Sequence, residues 1–227
     1  TECRHRADSH IQPSQYKPAA NLQSSRPLQE NTKCNLRSFL LNYKETIMDK
    51  KDLIPHSPVR YFDATNAALK AGEMGLITAK KGLGKTSILV QFGIDSLLND
   101  KGLVHVSFDQ QSSNVIAWYS SVMAEISKKK NFNIDDVNEE IVKHRTILNF
   151  NQETFTLPKV VNTLKALKEG GINIATIVVD GLDMAKVEKA DLDCFASFVK
   201  AENMTAWFSY TNEADTLDAT LPADKLD

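Results

Sequence analysis

The stretch Ala79-Lys80-Lys81-Gly82-Leu83-Gly84-Lys85-Thr86, followed by Ser87, lies between an apolar run (Met74 to Thr78) and a helical one (Ser87 to Leu98). It follows the pattern G-x-x-x-x-G-K-S/T except at its first position, where Ala79 stands in place of glycine. In such a turn glycines let successive backbone N–H groups point inward around a phosphate, and the following helix offers its positive N-terminus to the same anion. The last two side chains have separate tasks. The Lys85 ammonium would reach the β- and γ-phosphates, and the Thr86 hydroxyl would help coordinate Mg²⁺, an ion that keeps several waters and takes few protein ligands. Residues Ala79, Lys80, Lys81, Gly82, Leu83, Gly84, Lys85, Thr86 and Ser87 are therefore the candidate phosphate-binding set. Alanine is small enough for the first position to be a mild departure. The plain alternative is a surface turn carrying lysines, but a strand before it and a long apolar-faced helix after it are the context the phosphate-binding pattern requires.

The rest of the chain limits what this loop belongs to. At 227 residues, 42% hydrophobic and 25% charged, it suits one globular domain plus an appendage. A formal net charge of -2 and a pI near 6.2 give no overall attraction to nucleic acid or to an anionic membrane. Cys3, Cys34 and Cys194 are odd in number and far apart, which argues for a reducing compartment and against a disulfide framework. No run approaches a membrane span and the polar N-terminus has no apolar signal core, so a cytoplasmic protein is expected. His5, His10, His56, His105 and His144 show no metal-ligand spacing, and His105 reads as a packed or edge residue of a strand.

Residues 1–35 are polar, contain Pro13, Pro18 and Pro27 and no glycine, and are expected to form a disordered tail. Met48, followed by Asp49-Lys50-Lys51, is an alternative natural start. Leu36, Phe39, Leu40, Tyr43 and Ile47 recur at helical spacing, which makes residues 36–56 a helical linker. All nine glycines fall at or after Gly72, which places the domain at 57–227. Inside it the pattern predicts a helix over 63–70, a turn at Ala71-Gly72-Glu73, and strands over 75–78, 103–108, 145–150, 174–179 and 205–210. Helices are expected over 85–99, 113–128, 137–143, 157–168 and 191–201, with a solvated loop at Lys128-Lys129-Lys130. Ile88, Leu89, Phe92, Leu97 and Leu98 give the helix after the loop one apolar face. Strands and helices that alternate in this way mean a parallel sheet with helices on both faces, and a ligand site at the carboxyl ends of the strands.

Two further positions carry chemistry. Asp180 ends the apolar run Ile174-Ala175-Thr176-Ile177-Val178-Val179, where a carboxylate would hold Mg²⁺ through its water shell; a helix-cap or turn aspartate before Gly181 is the alternative. The segment Asp109-Gln110-Gln111 ends the second strand, where hydrolysis needs a group beside the γ-phosphate. Asp109 could serve as base, whereas Gln110 could only orient water. Ser209-Tyr210-Thr211-Asn212, at the end of the fifth strand, offers polar groups to sense the γ-phosphate.

The run Gly75-Leu76-Ile77-Thr78 into the loop, and then Lys101-Gly102-Leu103-Val104-His105-Val106-Ser107-Phe108-Asp109, resembles the ATPase core shared by RecA, the replicative helicase DnaB and the clock ATPase KaiC. The likeness covers about residues 57–212. It implies a RecA-type P-loop NTPase fold, Mg-ATP binding, catalytic roles for Lys85, Asp109 and Gln110, and a homo-oligomeric ring or filament with ATP at subunit interfaces. Nucleic acid enters as a partner by resemblance alone. Family members place a glutamate, or two acids in tandem, where this chain has Asp109 and Gln110, so slow hydrolysis is expected. After residue 57 the only arginines are Arg60 and Arg145, which leaves few candidates for a trans-acting finger. Family members also continue with further strands after the fifth, so a C-terminally truncated or degenerate member is expected. Monophosphate kinases need more arginines, and GTPases need an N-K-x-D element that is missing here. A ParA/MinD-like switch ATPase fits Lys80 but not Lys81. The alternative from another class is a nucleotide-binding scaffold or regulatory subunit that does not turn over.

Overall fold

A computed structural model describes residues 50–57, 59–60, 62, 68–108, 110–130, 134–154 and 156–213, all within 46–227. The expected tail at 1–35, residues 36–49 of the helical linker, most of the helix over 63–70, Asp109, Cys3 and Cys34 lie outside the described residues.

Runs of β-branched and aromatic residues bounded by glycine or polar turns form five strands. These are β1 (Met74–Ala79), β2 (Leu103–Phe108), β3 (Arg145–Phe150), β4 (Thr176–Asp180) and β5 (Thr205–Thr211). They make one sheet in the order β1-β5-β4-β2-β3. Every pairing is parallel. β2 and β4 lie inside the sheet and every residue in them is buried, while the edge strands β1 and β3 are only half-buried. This is why the central runs are buried on both faces, even at the polar positions His105 and Ser107 of β2.

The helices are α1 (Lys50–Leu53), α2 (Lys85–Leu98), α3 (Ser112–Lys130), α4 (Ile134–Lys143), α5 (Leu157–Glu169) and α6 (Lys189–Ala201). Two apolar cores follow, one on each face of the sheet. Residues of α1 to α4 pack with Leu103, Val178 and Trp207 on one face. Residues of α5 and α6 pack with Val104, Val106, Ile177, Val179, Ala206 and Phe208 on the other. Among the described residues no helix is long and apolar enough to cross a membrane.

Some boundaries differ from expectation for local reasons. Ala68 to Lys70 are not helical, because Glu73 draws the chain into a turn: its carboxylate accepts from Lys70 N at 2.7 Å and its N–H donates back to Lys70 O at 3.0 Å. β4 starts at Thr176, not at residue 174. The N–H groups of Ala175 and Thr176 both donate to Gly102 O, so the chain arches there before it joins the ladder. Gly102 makes room for the arch, since a Cβ on it would fall 1.8 Å from Asn173 O. Lys128 to Lys130 end α3 and are not a loop, in keeping with the good helix propensity of lysine. α2 is buried on more than one face, because α1, α3 and α4 cover what the sheet does not; Leu89, Val90, Phe92, Ile94, Leu97 and Leu98 all belong to that core.

Candidate functional site

The loop begins where β1 stops. Gly82 has φ 82° and Gly84 φ 84°, and a Cβ at either would meet nothing within 4 Å. It is the left-handed backbone that asks for glycine here, not lack of space. Gly84 is the N-cap of α2 and has no side chain to donate or accept there, so the first-turn N–H groups of α2 face the loop without a side-chain cap. Lys80, Lys81, Gly82, Leu83, Gly84 and Ser87 are exposed, whereas Ala79, Lys85 and Thr86 are half-buried. The Lys85 ammonium donates to Ala79 O at 3.0 Å and Lys80 O at 2.9 Å, which folds the side chain back over the turn.

Thr86 meets Asp180 although 94 positions separate them: Thr86 Oγ1 donates to Asp180 Oδ2 at 2.6 Å. The other carboxylate oxygen is held from β5. Ser209 Oγ donates to Asp180 Oδ1 at 2.6 Å and accepts from Gly181 N at 3.0 Å. Asp180 is buried, yet both of its oxygens accept a hydrogen bond, the condition under which a buried carboxylate is tolerated. Gly181, at φ 78°, turns the chain sharply after β4; a Cβ on it would lie 3.0 Å from Phe108 O at the end of β2.

The remaining expected positions are sorted by the strand order. Gln110 follows β2, the neighbour of β4, and is half-buried; its main-chain carbonyl accepts a hydrogen bond from Asn149 Nδ2 at the end of β3. Of the run at the end of β5, Ser209 turns inward to Asp180, and Asn212 is buried with its N–H on Ala79 O at 3.1 Å. Thr211 alone of that run is exposed. Lys85, Thr86, Asp180 and Ser209 are thus brought together by the carboxyl ends of β1, β5 and β4 and the start of α2.

Beneath Asp180 lies a polar layer that the sequence reading treated only in part. His105 is fully buried, and its Nδ1 lies 3.0 Å from Tyr119 Oη. Burial pushes the imidazole down to about 4; the Asp180 charge opposes this and Arg145 adds to it. Burial also raises the Tyr119 phenol well above its usual range. The Arg145 guanidinium covers the Tyr119 ring at 4.7 Å from its centroid. Ser107, the next residue of β2 on the same face, is fully buried, and its hydroxyl has no hydrogen-bond partner. A serine two residues after His105, within a run of apolar residues, was the available signal for this position.

The donor set suits one kind of cation. A hydroxyl and a carboxylate are hard oxygen ligands, as Mg²⁺ requires. Among the described residues no group of three or more His, Cys, Asp or Glu could hold a metal without further ligands, so such an ion would rely on water and on a bound phosphate. A cavity of about 180 Å³ opens elsewhere, at the amino ends of β4 and β5, lined by Arg60, Phe92, Asp95, Thr176, Thr205 and Trp207 among others. It shares no residue with the loop. No protein-family model matches the chain, and no curated protein matches it.

Proposed function

We propose that this chain binds ATP with Mg²⁺ through residues 79–87, as an ATPase with a RecA-type P-loop NTPase fold of the RecA, DnaB and KaiC kind, and hydrolyses it slowly. Nucleotide state would then be coupled to self-assembly, as a ring or filament, or to partner binding. One observation carries this reading. Thr86 and Asp180, far apart in sequence, present a hydroxyl and a carboxylate 2.6 Å apart at the mouth of a glycine turn that opens a 14-residue helix. A surface turn with lysines has no reason to sit over a buried carboxylate.

Each residue then has a task that its chemistry permits. The uncapped N–H groups at the start of α2 and the Gly82–Gly84 turn hold phosphate oxygens, and the Lys85 ammonium reaches the β- and γ-phosphates. Thr86 and Asp180 would hold Mg²⁺, which when bound offsets the charge on those phosphates. Asp109 accepts the proton of the attacking water, and Gln110, an amide, only orients it. The second reading, a nucleotide-binding scaffold without turnover, is favoured by that amide where a second acid would serve.

Equilibrium titration with a fluorescent ATP analogue and Mg²⁺ tests the binding claim. Lys85→Ala should weaken affinity by about a hundredfold, the scale of losing charge-assisted bonds to a phosphate; affinity equal to the parent chain overturns the reading. Phosphate release, with and without single-stranded DNA, separates the ATPase from the scaffold.

A further inference from the structure

We propose that Asp180 is a positioned ligand held by a pair of serines on its two neighbouring strands, with Ser209 engaged and Ser107 in reserve. The proposal rests on the Mg-nucleotide reading above and goes further into the same site.

β4 runs between β5 and β2. On the β5 side, Ser209 Oγ donates to Asp180 Oδ1 at 2.6 Å and is itself fixed by Gly181 N–H at 3.0 Å. That chain of bonds fixes the carboxylate's rotation, so Oδ2 is the oxygen left for Thr86. On the β2 side, Ser107 is the direct register partner of Asp180. Laterally paired residues of parallel strands point to the same face with backbones about 4.8 Å apart, so the Ser107 side chain stands beside the carboxylate.

The Ser107 hydroxyl is fully buried and has no hydrogen-bond partner. A buried hydroxyl left unbonded is costly, and alanine would pack as well without that cost, so the group calls for a role in another arrangement of the site. A carboxylate has lone pairs for about four donors and accepts only Thr86 and Ser209 among the bonds described. Where the Ser209 bond is lost, rotation of the Ser107 hydroxyl can put a second donor on the same carboxylate. Both serines are positioning residues, because neither needs to touch nucleotide.

Electron paramagnetic resonance of Mn²⁺ on the full chain with ADP reads this out as metal affinity, with urea unfolding of each variant alongside. Ser209→Ala should weaken Mn²⁺ binding about tenfold, the scale of one hydrogen bond to a charged group, and Ser209→Thr should restore it. Ser107→Ala alone should change affinity less than about twofold, while the double variant should lose at least threefold more than the product of the single effects, as expected for coupled neighbours. Ser209→Ala binding Mn²⁺ like the parent overturns the positioning role, and a double variant equal to the product overturns the reserve role. A parent chain that retains no Mn²⁺ with ADP overturns the nucleotide reading, and this proposal with it.

Discussion

Against α5 and α6 the sheet presents Val104, Val106, Phe108, Ile177, Val179, Ala206 and Phe208, and the threonines on that face, Thr78 and Thr146, stand on the two edge strands. On the face toward α2 and α3 the same strands interleave His105, Ser107, Thr176, Asp180 and Ser209 with Leu103, Val178 and Trp207. Parallel register lines up the residues of each face across neighbouring strands, so the polar ones form a band and are not scattered. Most are satisfied in pairs. Ser96 Oγ donates to Thr176 Oγ1 at 2.8 Å, His105 meets Tyr119, and both oxygens of Asp180 accept. One face supplies cohesion at little chemical risk, and the other carries groups whose burial must be offset bond by bond.

The apolar face should respond most to truncation. Phe195 is fully buried and meets Phe208 edge-to-face at 5.3 Å. Phe195→Ala is expected to cost about 3–5 kcal/mol by urea unfolding, with nucleotide affinity of the folded fraction unchanged. A cost below about 1 kcal/mol would erase the contrast between the faces.

The polar face should respond to pH. His105 has its folded value pushed down from 6.5 to about 4, so the unfolded chain binds more protons between those values. The neutral imidazole therefore contributes stability above about pH 6.5, which is lost as pH falls toward 4, on the order of 3 kcal/mol in total. Unfolding free energies at pH 7, 5.5 and 4.5 should fall more steeply for the parent chain than for His105→Gln, which cannot titrate there. Parallel curves would remove His105 as the cause.

A smaller effect marks where the polar face becomes apolar again. Gly75 lies under the Trp207 ring, and a Cβ there would fall 2.4 Å from Trp207 Cζ3. Trp207 in turn stacks on Phe92, with centroids 4.1 Å apart and planes at 6°. Gly75→Ala should displace the indole and cost about 1–3 kcal/mol, the usual range for overpacking, with a change in tryptophan emission. An unchanged spectrum together with unchanged stability would mean that the ring has room to move.

Much of this could be read from residues in order. β2 and β3 begin and end where their apolar runs do, and the turn at Ala79 to Thr86 declared its left-handed glycines through its spacing. The misses share a physical origin. The start of β4 depends on a carbonyl of Gly102, some seventy positions earlier, and the end of the predicted helix near Lys70 on a carboxylate three residues further on. Ser209 was grouped with Tyr210, Thr211 and Asn212 as a sensor of phosphate, since nothing local shows that its strand lies between β1 and β4.

The sequence by itself determined the alternation of strands and helices, the glycine turn, and the presence of an acid at the end of a buried strand, because these depend on backbone conformation and on the period of apolar residues. Only the tertiary structure decided that β5 enters between β1 and β4, that Thr86 and Ser209 converge on one carboxylate, and that Ser107 pairs with Asp180 in register from β2. Strand order is set by how helices cover the two faces of the sheet. That is a property of the whole chain, which no local pattern encodes.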